Sequence, residues 1–206
     1  MAIRDEIRHQ AALAGQVIES HAQKPISGAQ VQVLAAPAGF MTMLTWRQKQ
    51  YGSAWDALPA RPDRALTALD GHFHFLDLPD GDYTIAASLP AGGSRYGSFQ
   101  ATATVQRDGA GNLKPAILSM AVPATALQGK VTKQAGGDPI AAAAIRVQGS
   151  GETAYTAADG TFRLLAIEIG SRTINASAPG FQAFSQVVVL AQAGDTQVLN
   201  FVLTAA

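Results

Sequence analysis

Residues Thr67–Ser88 read TALDGHFHFLDLPDGDYTIAAS, and residues Thr156–Ser177 read TAADGTFRLLAIEIGSRTINAS. The two stretches align without a gap at an offset of 89, Thr67 onto Thr156. Asp70-Gly71 falls on Asp159-Gly160, Phe73 on Phe162, Gly81 on Gly170 and Ile85 on Ile174. Within the first stretch Phe73 and Phe75 alternate with His72 and His74, the two-residue period of a half-buried strand. The Asp-Gly pairs lie between strand candidates, where glycine supplies the positive φ of a tight hairpin turn.

The self-similarity extends outward from there. Leu13–Val33 (LAGQVIESHAQKPISGAQVQV) aligns with Leu127–Val147 (LQGKVTKQAGGDPIAAAAIRV) at an offset of 114, Gly15 onto Gly129. The drop from 114 to 89 leaves the first copy with 25 extra residues between the two blocks. The later runs FQATATVQ and AILSMAV in copy one, and FSQVVVLAQ and VLNFVL in copy two, add two strands to each. Short strands at regular spacing predict an all-β chain of two tandem seven-stranded Ig-like or prealbumin-like β-sandwiches. The expected boundaries are an N-terminal arm over 1–12, a first sandwich over 13–122 and a second over 127–206. A short, stiff linker is expected around Pro123.

The order G-x-V, then P-I-x-x-A-x-V-x-V, then T-A-x-D-G-x-F, then L-P-x-G-x-Y-x-I-x-A-S resembles the carboxypeptidase regulatory-like domain. The resemblance runs from about Leu13 to Leu203. It implies a transthyretin-like sandwich acting as an accessory module, and it carries little about function. Copy two departs from the pattern at Arg172, where copy one has the expected Tyr83, so that corner of copy two is expected to be looser or wetter.

Composition narrows the function classes. Lys plus Arg and Asp plus Glu both number 15, so the net charge is zero and no basic stripe for a nucleic-acid backbone is implied. The chain has no cysteine, which excludes disulfides, thiol catalysis and cysteine-type zinc sites. No apolar run approaches the length of a membrane span, and MAIRDEIRHQAALAGQ lacks the apolar core of a secretory signal. The expected location is the cytoplasm, or a particle assembled there. Ile3 and Ile7 stand at helical spacing in the arm.

Candidate chemistry is sparse. His72 and His74 stand two apart on one strand face, a spacing that can present two imidazoles to zinc, but the same positions in copy two hold Thr161 and Arg163. Asp77, Asp80 and Asp82 suggest calcium, but copy two has Ala166, Ile169 and Ser171 there. Lys130 and Asn200 are placed like an isopeptide pair of surface adhesins, yet the strand before Ala178–Phe181 offers no carboxylate to shuttle the proton. RYGS at Arg95–Ser98 echoes, scrambled, a hydroxyisourate hydrolase tail. No nucleophile–base set, phosphate loop or cofactor fingerprint is present, so neither catalysis, nor a metal, nor a cofactor is expected.

The 25 extra residues of copy one lie within FMTMLTWRQKQYGSAWDALPARPDR, Phe40–Arg64, in an insertion spanning about 37–64, and they include both tryptophans. A loop this long is either functional or disordered, and its aromatic content argues against disorder. MTMLTWRQKQYG is expected to form a short helix ending at Gly52, followed by a turn of SAWDAL capped by Ser53. Two readings stay open: the insertion folds back over its own sandwich, or part of it docks a partner; both hold together if Leu44 and Met41 anchor it while Trp46, Tyr51 and Trp55 make the contact. The partner-binding candidates are Phe40, Met43, Trp46, Arg47, Tyr51 and Trp55. QVVVLAQ, Gln186–Gln192, is apolar on both faces, which predicts a covered outer face. A non-catalytic structural or protein-binding role is expected, in an assembly of phage-tail or contractile-injection type by analogy, with a carbohydrate-binding or adhesion module as the alternative.

Overall fold

The computed structural model describes residues 9–206, so the predicted arm helix with Ile3 and Ile7 lies outside the described residues. The chain divides into two compact units. One holds residues up to Ala91 together with Ser98–Val122; the other holds Gly92–Gly97 and Pro123–Ala206.

The first unit contains β1 (Ala11–Glu19), β2 (Gln30–Ala35), α1 (Ala38–Tyr51), a 3-10 turn (Gly52–Ala57), β3 (Arg64–Leu66), β4 (His72–Leu76), β5 (Gly81–Ser88), β6 (Ser98–Arg107), β7 (Leu113–Lys114) and β8 (Ala116–Val122). Its strands form a three-stranded sheet, β4-β1-β8, and a five-stranded sheet, β3-β2-β5-β6-β7. Alternate residues of each strand point inward, and Leu13, Val17, Val31, Phe73, Phe75, Tyr83, Ile85 and Met120 fill the space between the sheets.

The second unit contains β9 (Ala126–Lys133), β10 (Ala144–Val147), β11 (Thr153–Tyr155), β12 (Thr161–Leu165), β13 (Gly170–Ser177), β14 (Phe184–Leu190), β15 (Thr196–Val198) and β16 (Phe201–Leu203). One sheet runs β11-β10-β13-β14, and the other runs β12-β9-β15, with β16 also on β9. Its core is Leu127, Val131, Ile145, Phe162, Leu164, Ile174, Leu190, Phe201 and their neighbours. Both β15 and β16 run parallel to β9, end to end, as β8 runs parallel to β1 in the first unit.

Matching residues make matching bonds in the two units. Thr67 Oγ1 donates to Ile26 O at 2.6 Å and accepts from Ala29 N at 2.8 Å; Thr156 Oγ1 does the same with Ile140 O and Ala143 N at the same distances. Both threonines are buried, so each hydroxyl serves backbone groups that would otherwise lack a partner. Val17 N donates to Gly71 O at 2.9 Å, and Val131 N donates to Gly160 O at 2.9 Å.

The Asp-Gly turns are not hairpins. β3 pairs with β2 and β4 pairs with β1, so Asp70-Gly71 carries the chain from one sheet to the other; Asp159-Gly160 does the same between β11 and β12. The glycine is required twice over. Gly71 has φ +76°, and a Cβ there would lie 2.6 Å from Val17 O; Gly160 has φ +77° and the same 2.6 Å approach to Val131 O. A tight turn and a strand alternation were legible, but the partner of each strand is a tertiary fact.

Candidate interaction surface on the insertion

Pro37 fixes the entry to α1, and its carbonyl accepts from Phe40 N at 2.9 Å, with no side-chain cap. The helix therefore begins three residues before the expected Met41. It ends where expected: Gly52 adopts φ +53° and donates to Gln48 O. The turn that follows starts from Tyr51, and Ser53 makes no cap.

Only Phe40 and Leu44, one turn apart, are buried along α1. Burying two such side chains contributes on the order of 1.5–3 kcal/mol each, enough to hold a short helix against its sandwich. Phe40 meets Tyr83 edge-on, with ring centroids 6.0 Å apart. Tyr83 is buried, and its hydroxyl donates to Pro79 O at 2.8 Å. Burial, with the nearby Asp80 charge adding to it, pushes that phenol up to about 12.

The turn is held by an ionic cluster. Trp55 is 5% exposed; the Arg61 guanidinium lies 4.6 Å from its ring centre and the Tyr51 ring 6.2 Å away. Arg61 donates through Nε to Asp63 Oδ1 at 3.0 Å and through Nη2 to Asp63 Oδ2 at 2.5 Å, and it reaches Asp56 at 2.8 Å. Both partners of the Arg61–Asp63 pair are buried. The Asp63 hydrogen bonds, against the opposing effect of burial, hold the guanidinium proton more tightly than usual. Arg64 closes the loop by donating to Asp56 O and Leu58 O.

The candidate residues therefore separate. Phe40 and Trp55 belong to the unit's own packing and offer nothing to a partner; the anchors are Phe40 and Leu44, with Met41 half-buried. Trp46 is 67% exposed, Tyr51 is 45% exposed, Arg47 is exposed and Met43 is half-buried. Arg47 and Tyr51 continue the stripe of Phe40 and Leu44 at i+7 and i+11, past the part of it that is buried, whereas Met43 and Trp46 lie on the adjoining side of α1. The Lys49 ammonium sits 5.5 Å above the Trp46 ring. Sequence reading missed Arg61, Asp63 and Arg64; the close spacing of charges in ARPDR beside the aromatic run was the available signal.

The other candidates are occupied by local bonds. His72 and His74 are exposed on β4, and His72 Nδ1 lies 3.1 Å from Asp70. Asp80 pairs with Arg107, Asp82 accepts from Thr104 Oγ1 at 2.6 Å, and Asp77 pairs with His9. Lys130 and Asn200 are both exposed, and Asn200 Oδ1 accepts from the Lys130 backbone amide at 2.9 Å. Arg95 of RYGS pairs with Glu152 and donates to Ala166 O at 2.9 Å within the second unit. Arg172 is not loose: its Nε donates to Glu168 O at 3.0 Å and its Nη2 to Ile169 O at 3.0 Å. On β14, Val187 and Val189 are exposed, so nothing in the second unit covers the outer face expected to be covered. Among the described residues, no helix is long and apolar enough to cross a membrane.

Residues 126–204 match the carboxypeptidase regulatory-like domain. The match takes in the second unit from the start of β9 to just past β16, the unit without the aromatic insertion. No curated protein matches the chain. Among solved structures, the chain is similar to the minor pilin GBS52 of Streptococcus agalactiae, at 15% identity over 94% of this chain and 95% of that one, with a TM-score of 0.33. It is similar to an E269A/D295N variant of the shaft pilin SpaA of Lactobacillus rhamnosus GG, at 12% identity over 97% and 98%, with a TM-score of 0.44. A type II cohesin–X-dockerin complex of Acetivibrio cellulolyticus gives 15% identity and a TM-score of 0.32 over 39% of this chain. That last match spans 58% of the other chain's length.

Proposed function

We propose that the chain is a tandem pair of carboxypeptidase regulatory-like sandwiches that acts without catalysis, as a structural protein-binding component. The docking surface is the exposed part of α1, with Trp46 flanked by Met43 and Arg47, and with Tyr51 at the C-terminal end of the helix. The exposure of Trp46 on a helix fixed at both ends carries this reading, because solvent-facing tryptophan is costly and tryptophan and arginine are enriched where interfaces are strongest. A large cytoplasmically assembled particle, of phage-tail or contractile-injection type by analogy, is the proposed setting. A sugar platform is less favoured, since Lys49 stands over one face of the Trp46 ring.

The test is size fractionation of native lysate with the wild-type chain and with Trp46→Ala, Arg47→Ala. Wild type is expected in a fraction far above its 21.4 kDa, and the double variant is expected as free, cooperatively folded protein. Identical migration of the two chains removes α1 from the interface.

A further inference from the structure

The second unit carries a groove of about 630 Å³ over the outer face of β12-β9-β15, reaching to β11. Lys130, Arg163, Gln128, Tyr155 and Val198 line it, and none of its lining residues is acidic. Tyr155 and Val198 are exposed although large and apolar. Arg163 is held in place by Gln128, which accepts from its Nη2 at 2.7 Å and leaves the other guanidinium donors open. The nearby carboxylate, Asp159, accepts from the Thr161 amide and hydroxyl, and these bonds, with a smaller effect from the Lys130 charge, hold it below its usual range. Asp159 thus offsets part of the Lys130 charge without a direct bond from the ammonium, whose own donors stay available to an acidic ligand.

The first unit has a counterpart at the same positions. Tyr155, Ala157, Thr161, Phe162 and Arg163 correspond to Leu66, Ala68, His72, Phe73 and His74, all at the offset of 89. These residues also line a groove, of about 450 Å³, and there the chain's own Pro59, Ala60 and Arg61 form one wall. The insertion that supplies this wall is missing from the second unit, whose groove is wider and bears two cations in place of a histidine and a glutamine, His74 and Gln16.

We infer that the groove of the second unit is a binding site for an extended acidic peptide segment of another protein. The occupant follows from charge and spacing. Thr161 stands opposite Lys130 and Arg163 opposite Gln128, so Lys130 and Arg163 are diagonal neighbours on adjacent strands. Such neighbours lie roughly 7–8 Å apart. Alternate side chains of an extended peptide lie about 6.6–6.8 Å apart. Carboxylates at alternate positions therefore reach both cations together, while an apolar side chain two residues further along the same face of the peptide covers Tyr155 or Val198. Among the described residues β12 pairs only with β9; on its other edge Ala157 and Asp159 take the carbonyl and amide of Thr161, and those of Arg163 are left for backbone hydrogen bonds from the same segment.

The test is amide chemical-shift titration of the full chain with two N-acetylated hexapeptides, a glutamate peptide Leu-Ser-Glu-Ser-Glu-Ser and a lysine peptide Leu-Ser-Lys-Ser-Lys-Ser, each with leucine on the same face as its charges. The glutamate peptide is expected to shift the amides of Gln128–Lys130 and Thr161–Arg163, with an affinity that falls as salt rises. Lys130→Glu with Arg163→Glu should weaken it at least tenfold, and Arg163→Gln alone should weaken it less; both sites are exposed, so the fold should survive. No shift with the glutamate peptide, equal binding of the lysine peptide, or unchanged affinity in the charge-reversed chain overturns the proposal. Binding of polygalacturonate at these amides without binding of the peptide overturns it in favour of an anionic glycan.

Discussion

The first unit places Tyr83 near the start of β5, and the second places Arg172 at the matching position of β13. Each side chain closes its corner by donating to the carbonyl four residues back, Tyr83 to Pro79 and Arg172 to Glu168. What differs is the cover. Phe40 packs on Tyr83, and Pro37 lies so close to Gly81 that a Cβ there would meet its Cγ at 2.5 Å; Gly170, the counterpart, has open space around it. Where an insertion excludes water, the corner is aromatic, and its one polar group is satisfied by one bond. Where nothing covers it, a guanidinium with several donors bridges the carbonyls and stays in contact with solvent. The polarity of the corner residue follows from what the neighbouring loop covers, and the departure at Arg172 from the first unit's Tyr83 is a second solution rather than a defect.

That comparison is breakable. Tyr83→Ala should destabilise the protein by about 3–5 kcal/mol, since it empties a buried site and unseats Phe40. Arg172→Ala should cost no more than about 1 kcal/mol, its bonds being partly solvated. Urea titration of both variants decides the matter, and equal costs would mean that the two corners do the same structural work. A slightly smaller loss, about 3 kcal/mol, is expected for Asp63→Ala, because Arg61 would be left buried with only Asp56 as partner. Its diagnostic sign is a change in Trp55 fluorescence, which a loss elsewhere in the unit would not produce.

A third effect concerns acid. Burial alone would raise the Glu19 carboxyl, but amide bonds from Ala22 and His21 outweigh it and hold the group below its ordinary 4.5. The folded state thus binds the proton less readily than the unfolded chain. The stabilisation is complete above 4.5 and fades as pH falls through the lowered folded value. Glu19→Gln should cost about 1.5–2 kcal/mol at neutral pH and flatten the acid limb of the stability curve. Lys133 occupies the counterpart position, so the second unit should show no such limb from this site; amide exchange measured unit by unit across pH would reveal it if it did.

Much of the fold was legible because the aligned stretches carry the same strand and turn signals. The strands around Phe73 and Phe162, the glycines of the Asp-Gly turns and the unusual length of the insertion all follow from pattern and alignment. Pairing was not legible. Nothing local distinguishes a hairpin at Asp70-Gly71 from a crossing between sheets, since both need a positive φ. The candidate surface was half legible. Residue type marked Phe40, Trp46 and Trp55 alike, and only the packing of Phe40 on Tyr83 and of Trp55 on Arg61 separates the buried rings from Trp46.

The segment Gly92–Gly97 belongs by contact to the second unit although the strands on either side of it, β5 and β6, belong to the first. Thr125 donates through its amide to Arg95 O and through its hydroxyl to Ser94 O, and Ile169 N donates to Ser94 Oγ. Any dissection of the chain at Pro123 therefore yields a C-terminal fragment that is incomplete, with Glu152 deprived of Arg95 and with the amides of Thr125 and Ile169 stripped of their acceptors. The shortest sequence that encodes the second unit whole is thus not a continuous one, because six of its residues are written inside the first.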